Sequence, residues 1–545
     1  MDFPLVLTAA EMRAADAAVA RALGVPTSRL METAGRGVAA IVRRELGSAT
    51  GRVMIVCGGG SNGGDGYVAA RQLALAGLSV RVLLAAPKGK IQGDAAAALA
   101  ALEQVGSVAV EDGSAWTDEA TWSARLADTA TGIDAGADAV VDAIVDAIVD
   151  AIFGTGFRGP VRDVPAAALA AMNAAGGRKI AVDIPSGLDA DSGRAAGVVF
   201  RADVTATMGA RKLGLVVDAS APVGRLEIVD LGAPVDARLV PSARCRLLDA
   251  PGIAARLPRR SADAHKGSSG HLLVVAGSAG KTGAAFLVGT AALRSGAGLV
   301  TIASTAAGQT ALDAKAIELM TARYTDGEDA VAAPALAALQ ALAGRAQAVA
   351  LGPGIPTGAG MRAVVRELAA RLPLPMVIDA DALNALGTEA PKILSGAPAP
   401  RVLTPHPGEM GRLLGISIAE VQWERMLHAR ALAAATGAVV VLKGARTIIA
   451  APDGQAFISP IACSALATAG SGDVLTGLTG ALLARRVEAL TAAEVAVYVH
   501  GAAGESLAPR LGDGVVAGDL PLAIASVIVQ LVQLAEAAQP APLAG

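Results

Sequence analysis

The sequence predicts an α/β protein, with mainly parallel sheets covered by helices on both faces. Short β-branched runs alternate with alanine-rich helical stretches, glycine-dense loops close the runs, and apolar content is high while aromatic content is low. Of 545 residues, 53% are hydrophobic, 2% are aromatic and 64 are glycine. Small side chains therefore carry the apolar count, which suits close packing of helices on sheets and excludes an intrinsically disordered chain. The length exceeds that of one ordinary domain. Basic and acidic side chains, 46 against 49, nearly balance, so neither nucleic acid nor an anionic membrane is expected as a partner. Cys57, Cys245 and Cys463 are too scattered for a disulfide framework or a thiolate metal site, and a reduced, cytoplasmic setting is expected. None of the 5 histidines forms an i, i+4 pair, which argues against a His-rich zinc enzyme. The N-terminus lacks the basic region of a signal peptide. Lys281 and Arg294 interrupt the apolar stretch from Gly270 to Thr301, and Gln530 and Gln533 interrupt that from Leu520 to Leu534. Neither offers the ~20 unbroken apolar residues of a membrane span, so the chain reads as soluble.

Apolar residues recur at helical spacing from Thr8 to Leu46, and Arg52 to Cys57 then reads as a buried parallel strand ending in glycines. The same unit recurs at Ser79–Ala86, in the Ala139–Phe153 region and at Lys179–Pro185. Between Leu231 and Lys266 the composition shifts to Pro, Arg and isolated apolar residues, which marks a domain boundary. A second α/β series begins at His271–Ser278 and continues through strands near Ala348, Met376, Val402 and Val439 to a glycine-dense turn at Ala469–Asp473. One local repeat places Asp138, Asp142, Asp146 and Asp150 four residues apart. In a strand these would share one face, and in a helix they would drift slowly round a stripe.

In parallel sheets, ligands gather at the carboxyl ends of strands. The loop Cys57–Ala74 follows a strand and opens a helix. Its glycines suit either a phosphate cradle or a tight turn, and Asn62 and Asp65 add polar groups that a turn alone does not need. It is neither a Walker A loop nor a clean dinucleotide fingerprint. Asp150 to Gly159 and Asp183 to Asp189 bring polar groups to two further strand ends, and the three loops together supply oxygen ligands for a hard cation. In the second half, Lys281, the Gly352–Gly354 turn, Asp379, Asp381, Asn384, His406 and Glu409 occupy strand ends. The Ala469–Asp473 turn runs directly into a helical pattern, so its free amides suit a transferring phosphoryl group. Asp473 can take a proton from an attacking hydroxyl, or it can simply cap the helix.

These motifs carry a family likeness. Met31–Ala39, Gly58–Gly66, Asp150–Pro160 and Asp183–Gly193 resemble the NAD(P)H-hydrate epimerase domain. His265–Ser278, Gly296–Thr301, Gly352–Gly354, Asp379–Asn384, Leu403–Met410, Lys443–Thr447 and Gly470–Gly477 resemble the ADP-dependent NAD(P)H-hydrate dehydratase. In this order, over nearly the whole chain, they resemble the bifunctional nicotinamide-nucleotide repair family. The resemblance implies a Rossmann-like three-layer sandwich over residues 1–236 and a ribokinase-like α/β domain over 237–545. The first would interconvert the R and S hydrates of NADH or NADPH (NADHX and NADPHX). The second would use ADP to phosphorylate the ring hydroxyl of the S form and eliminate phosphate, releasing AMP.

Position by position, the resemblance implies potassium ligands at Asn62, Asp150 and Ser186. It implies hydrate binding at Ser61, Asn62, Gly63, Gly64, Asp65, Gly154, Thr155, Gly156, Phe157, Arg158, Gly159 and Asp183, with Lys212 bordering the epimerase site and Asp183 and Lys212 as its catalytic pair. In the second domain it implies hydrate binding at Gly354, His406, Pro407, Gly408 and Glu409, extending to Arg412. ADP binding is implied at Lys443, Gly444, Ala445, Arg446 and Thr447, and across Cys463 to Gly472, including Ala469, Gly470 and Ser471, with Asp473 catalytic. Magnesium would accompany ADP, and a homo-oligomer is expected. Thr33 and Ser61 stand where the family usually has Asn, and Ala469 where it usually has Gly, so that a methyl group would meet any backbone with φ > 0 there. The competing reading is a vitamin or sugar kinase fused to a nucleotide-binding module without epimerase activity.

Overall fold

The computed structural model describes residues 2–48, 50–127, 145–327 and 329–538. The chain forms two compact units, Leu5–Ala243, and Met1–Pro4 together with Arg244–Gly545. The division drawn from the sequence was 236/237.

In the first unit the strands are β1 (Leu5–Leu7), β2 (Arg52–Cys57), β3 (Ser79–Leu84), β4 (Ala109–Asp112), β5 (Ala147–Ala151), β6 (Arg178–Val182), β7 (Val204–Met208), β8 (Arg211–Lys212) and β9 (Arg225–Val229). A parallel sheet runs in the order β4-β3-β2-β5-β6-β7-β9, and β1 pairs in parallel with β8. Alternate residues feed opposite faces. Val53, Ile55, Val80, Val149 and Ile180 pack under the helices Thr27–Leu46 and Ser61–Leu75, while Met54, Val56, Leu83 and Ile148 meet Trp122, Leu169 and Met172 on the other side. This is a three-layer sandwich. The helical stretch from Thr8 is two helices, Ala9–Leu23 and Thr27–Leu46, because Gly24 turns left-handed (φ 64°) and Pro26 starts the second. Of the aspartate repeat, Asp138 and Asp142 lie outside the described residues. Asp146 receives the Arg52 amide at 2.8 Å just before β5, and Asp150 lies within that strand, fully buried.

The second unit contains β10 (Cys245–Leu247), β11 (His271–Val275), β12 (Leu299–Thr305), β13 (Met320–Thr325), β14 (Ala348–Leu351), β15 (Met376–Ile378), β16 (Arg401–Leu403), β17 (Val439–Leu442), β18 (Ile448–Ala450) and β19 (Ala456–Ile458). Its sheet runs β13-β12-β11-β14-β15-β16-β17-β18-β19-β10. It is parallel as far as β17, after which β18 is antiparallel to both neighbours. The helix Ser471–Ala484 is buried almost all round, as its unbroken apolar and small residues require. It packs on β14 and β15 and against the helix Thr282–Arg294, and an added Cβ at Gly477 would sit 2.2 Å from the Val288 carbonyl oxygen. The C-terminal apolar run is longer than the sequence reading allowed: Ala517–Ala537 is long and apolar enough by length and composition to cross a membrane. Leu520, Ile524, Val527 and Leu531 on that helix are buried in the second unit's core.

The close approach at Gly477 gives a test of this packing. Gly477→Ala is expected to destabilise the second unit by about 1–3 kcal/mol, read as a lower denaturation midpoint of its unfolding transition.

Candidate functional site

Strand order in the first unit reverses between β2 and β5, so their following loops splay apart and leave a crevice. After β2 the chain folds back tightly: a Cβ at Gly63 would lie 2.0 Å from the Gly58 carbonyl oxygen, which only glycine permits. Beside this turn, Asp150 Oδ1 accepts the Ser186 hydroxyl at 2.6 Å and the Ile152 amide at 3.2 Å, while Oδ2 accepts the Ser186 amide at 2.7 Å. The Ser186 hydroxyl oxygen accepts the Phe153 amide at 2.8 Å, and the Phe153 carbonyl accepts the Asn62 side-chain amide at 2.9 Å. Asn62, Asp150 and Ser186 are thus linked through Phe153. Burial raises the Asp150 carboxyl to about 6, against the pull of its hydrogen bonds, and no ion pair to it occurs among the described residues.

Asp183 follows β6 with φ 68°, a left-handed conformation that costs energy for a residue with a side chain. The surroundings hold it there. Its amide donates to the Ala206 carbonyl at 2.8 Å, and its Oδ1 accepts from Lys212 Nζ at 2.5 Å and from the Met208 amide at 3.3 Å. Lys212 is 0% exposed. Its other donors reach the Thr207 hydroxyl at 2.8 Å and the Met208 carbonyl at 2.9 Å, so the ammonium is fully satisfied. A cavity of about 640 Å³ opens over this pair, lined by Ser61, Asn62, Asp65, Gly154, Thr155, Gly156, Phe157, Arg158, Asp183 and Lys212. Gly63, Gly64 and Gly159 do not line it, and Asp150 and Ser186 lie outside its lining too. The helix Ala9–Leu23 adds Met12, Arg13 and Asp16, which the sequence reading missed. The available signal is an acid at position 16 between buried Met12 and Ala20, one helical turn to either side.

In the second unit a cavity of about 660 Å³ is lined by Asp379, His406, Lys443, Gly444, Ala445, Thr447, Ser459, Ile461, Ala462, Cys463, Gly470, Ser471, Gly472, Asp473 and His500, among others. The helix Ser471–Ala484 points its N-terminus into it. The left-handed residue there is Gly470 (φ 88°), while Ala469 has no positive φ, so its methyl meets no such backbone restriction. No side chain caps this helix. Asp473, its third residue, accepts no hydrogen bond among the described residues, which excludes the capping reading. Burial, followed by the Asp379 carboxylate, raises Asp473 to about 7, and Lys443 opposes the shift. Lys443 donates to Asp379 Oδ1 at 2.7 Å and lies 3.7 Å from Glu409 Oε2. Burial pulls the ammonium down, but Asp379 and Glu409 outweigh it and hold it above the ordinary lysine value. Thr476 donates to the other Asp379 oxygen at 2.6 Å, tying the strand end to the helix.

His500 Nε2 lies 3.0 Å from the Ser471 carbonyl and 3.2 Å from its hydroxyl. Burial lowers this imidazole to about 4, so it stays neutral and braces the first residue of the helix. Sequence reading missed it, although a histidine inside the apolar stretch Val495–Ala503 is the available signal. His406 caps the helix Pro407–Leu414, its Nδ1 accepting from the Gly408 amide at 3.0 Å. Pro407, Gly408 and Glu409 build that helix start and do not line the cavity. Gly354, whose carbonyl accepts the Ser278 hydroxyl at 2.8 Å, lies outside the lining, as do Arg446 and Ala469. Lys443 sits beside the phosphoryl-type turn: its Nζ is 3.3 Å from where a Gly472 Cβ would stand.

Two known families match successive parts of the chain: YjeF-related protein N-terminus over residues 27–214 and NAD(P)H-hydrate dehydratase over 272–526. A bifunctional NAD(P)H-hydrate repair enzyme of Moorella thermoacetica is 41% identical over 94% of this chain and 95% of its own length. The chain belongs to the bifunctional NAD(P)H-hydrate repair enzyme family. A member from Salinibacter ruber is 37% identical over 92% of each chain. An ADP/ATP-dependent NAD(P)H-hydrate dehydratase from Bacillus subtilis, crystallised with ATP and Mg2+, is 31% identical, covers 52% of this chain and 98% of its own, and has a TM-score of 0.46. As a member of this repair family, the chain carries an α/β fold in both units, with each cavity at the carboxyl edge of a parallel sheet.

The buried pair under the first cavity is open to a direct test. Lys212→Met leaves the Asp183 carboxylate without its cation and is expected to destabilise the first unit by about 3–5 kcal/mol. Adding Asp183→Asn should restore part of that loss, as measured by denaturant unfolding of the single and double variants.

Proposed function

We propose that the chain repairs hydrated nicotinamide nucleotides, the first unit interconverting the R and S hydrates and the second dehydrating the S form at the expense of ADP. The carrying observation is Asp473, an unbonded carboxyl raised to about 7, beside free amides at a buried helix start in a cavity. That arrangement suits phosphoryl transfer to a hydroxyl. The helix N-terminus and Lys443 hold the transferring phosphoryl group of ADP, and Asp473 takes the hydroxyl proton as the new O–P bond forms and AMP leaves. The ring nitrogen's lone pair then expels phosphate, a far better leaving group than hydroxide, and loss of the proton on the neighbouring carbon restores the dihydropyridine. Gly444, Ala445 and Thr447 line the nucleotide end of the cavity, and His406 faces the hydrate.

Asp379, Asp473 and Glu409 outnumber Lys443 around this turn, and such a surplus suits magnesium arriving with the nucleotide phosphates. In the first unit the donor set fits potassium: Asn62, Asp150 and Ser186 offer hard oxygens, and the buried Asp150 carboxylate has no other counter-charge among the described residues. Bound there, potassium would supply that charge and fix the loops after β2, β5 and β6.

The decisive experiment incubates the chain with mixed hydrates and ADP and follows recovery of reduced cofactor. Full recovery with inorganic phosphate supports both activities, whereas accumulation of a stable phosphorylated product points to a small-molecule kinase. Asp473→Asn is expected to slow dehydration by about 10²–10⁴ while epimerisation continues. In the wild type, dehydration should rise with pH through about 7 as Asp473 ionises, and the variant should lack that limb.

A carboxyl raised by burial favours folding only while protonated, so Asp150 costs stability as pH rises through about 6. Potassium at constant ionic strength is therefore expected to raise the melting temperature of the first unit above that pH and hardly at all below it. Asp150→Asn should abolish the difference.

A further inference from the structure

The cavity of the first unit holds carboxyl groups of different standing. Asp183 is committed, its Oδ1 held by Lys212 and the Met208 amide. Asp16 lines the same cavity, is largely sheltered from water, and accepts no hydrogen bond among the described residues. Its helix is fixed at the start: the Thr8–Glu11 capping box closes the first turn, and Asp191 accepts the Ala9 amide at 2.6 Å. Met12, one turn earlier, is buried, so this face of the helix cannot swing away. Asp16 is therefore a positioned carboxyl with free oxygens, on an element outside the family match over 27–214.

We infer that Asp16 is the acid–base residue of the epimerisation, giving a proton to the ring hydroxyl as its C–O bond breaks and taking one back from the water that re-adds. This rests on the epimerase reading above. The bond's electron pair leaves with the oxygen as water, and the ring nitrogen's lone pair forms a C=N double bond, making the carbon planar and the ring cationic. Water then attacks either face, its oxygen forms the new C–O bond, and its proton returns to the Asp16 carboxylate. Nothing is consumed, and the stereocentre has inverted in half of the events. Hydroxide is a poor leaving group, so an acid at the hydroxyl is the main requirement of this route.

Charge around Asp16 suits both halves of the cycle. Burial is the largest influence and raises it to about 6; Lys212 on β8 opposes this, and Asp183 after β6 adds to it. Arg13 on the same helix, Arg158 after β5 and Asp65 on the helix Ser61–Leu75 complete the charged lining. Near neutrality such a group populates both forms. Burial and the neighbouring acids Asp183 and Asp16 push Asp65 well above the carboxylate range, so it holds its proton tightly and gives it up less readily than Asp16.

The test measures R-to-S exchange by full-length wild type, Asp16→Asn and Asp16→Glu across pH, in water labelled with oxygen-18, with spontaneous exchange subtracted. For Asp16→Asn the expected result is a loss of about 10²–10⁴ in kcat with KM changed by less than about threefold, and a flat pH profile. Asp16→Glu should keep measurable activity with a displaced profile, and wild type should incorporate labelled oxygen at every inversion. An Asp16→Asn enzyme within about threefold of wild type, an effect confined to KM, or inversion without label would overturn the inference while leaving the epimerase reading intact. If Asp16→Asn does not fold by thermal melting, the Asp16→Glu profile decides, and one superimposable on wild type overturns the proposal. A wild-type chain with no exchange above background overturns both.

Discussion

Each unit is organised around a sheltered lysine gripped by an aspartate at the carboxyl edge of a parallel sheet. Lys212 meets Asp183 at 2.5 Å in the first, and Lys443 meets Asp379 at 2.7 Å in the second. Sheltered charges persist only when paired and hydrogen-bonded, and both pairs are. Lys212 also reaches Thr207 and Met208, and Asp379 also accepts from Thr476. Once such a pair forms, the loops carrying it have little freedom. Asp183 is held at φ 68°, and the helix Ser471–Ala484 is tied through Thr476 to the end of β15.

These fixed pairs also set the electrostatics of their neighbours. Removing water from a crevice penalises any further charge placed there. Asp473 consequently rises to about 7 and Asp16 to about 6, each tempered by the nearby lysine. Both are carboxyls without hydrogen-bonded partners among the described residues, each lining a cavity beside a committed lysine–aspartate pair. A group left free where its neighbours are fixed is available for proton transfer, whereas Asp183 and Asp379 are occupied in holding lysines. The same low-dielectric setting keeps His500 neutral and makes it a brace rather than a charge.

Much of this was legible in the residues. The strand at Arg52–Cys57, the glycine turn after it, the Asp183 loop and the Ala469–Asp473 turn were readable because strand periodicity and glycine density are local properties. The break between the helices Ala9–Leu23 and Thr27–Leu46 is local too, since Gly24 and Pro26 mark it, but continuous apolar spacing on both sides disguised it. Asp16 and His500 escaped because each is a single polar residue in an apolar helical stripe, a pattern that fits a solvent edge as well as a cavity wall. The glycines at 63 and 64 were read as ligand contacts, and close packing also requires them, since an added Cβ would meet the Gly58 carbonyl at Gly63 and the Met31 side chain at Gly64.

The amino-acid sequence by itself determined the two α/β series, the family and the chemical inventory of the loops, because spacing and residue type are written along the chain. It could not decide which members of that inventory meet. Asp473 and Asp379 are far apart in sequence, as are Lys443 and Glu409, and only parallel strand order brings their loops to one sheet edge. Tertiary structure alone decided that Gly354, Arg446 and Ala469 lie outside the cavity lining, that Asp473 is free instead of capping its helix, and that Asp150 is buried without a cationic partner among the described residues. The reason is physical: burial and pairing depend on distances through space, which the order of residues constrains only after the sheets have closed.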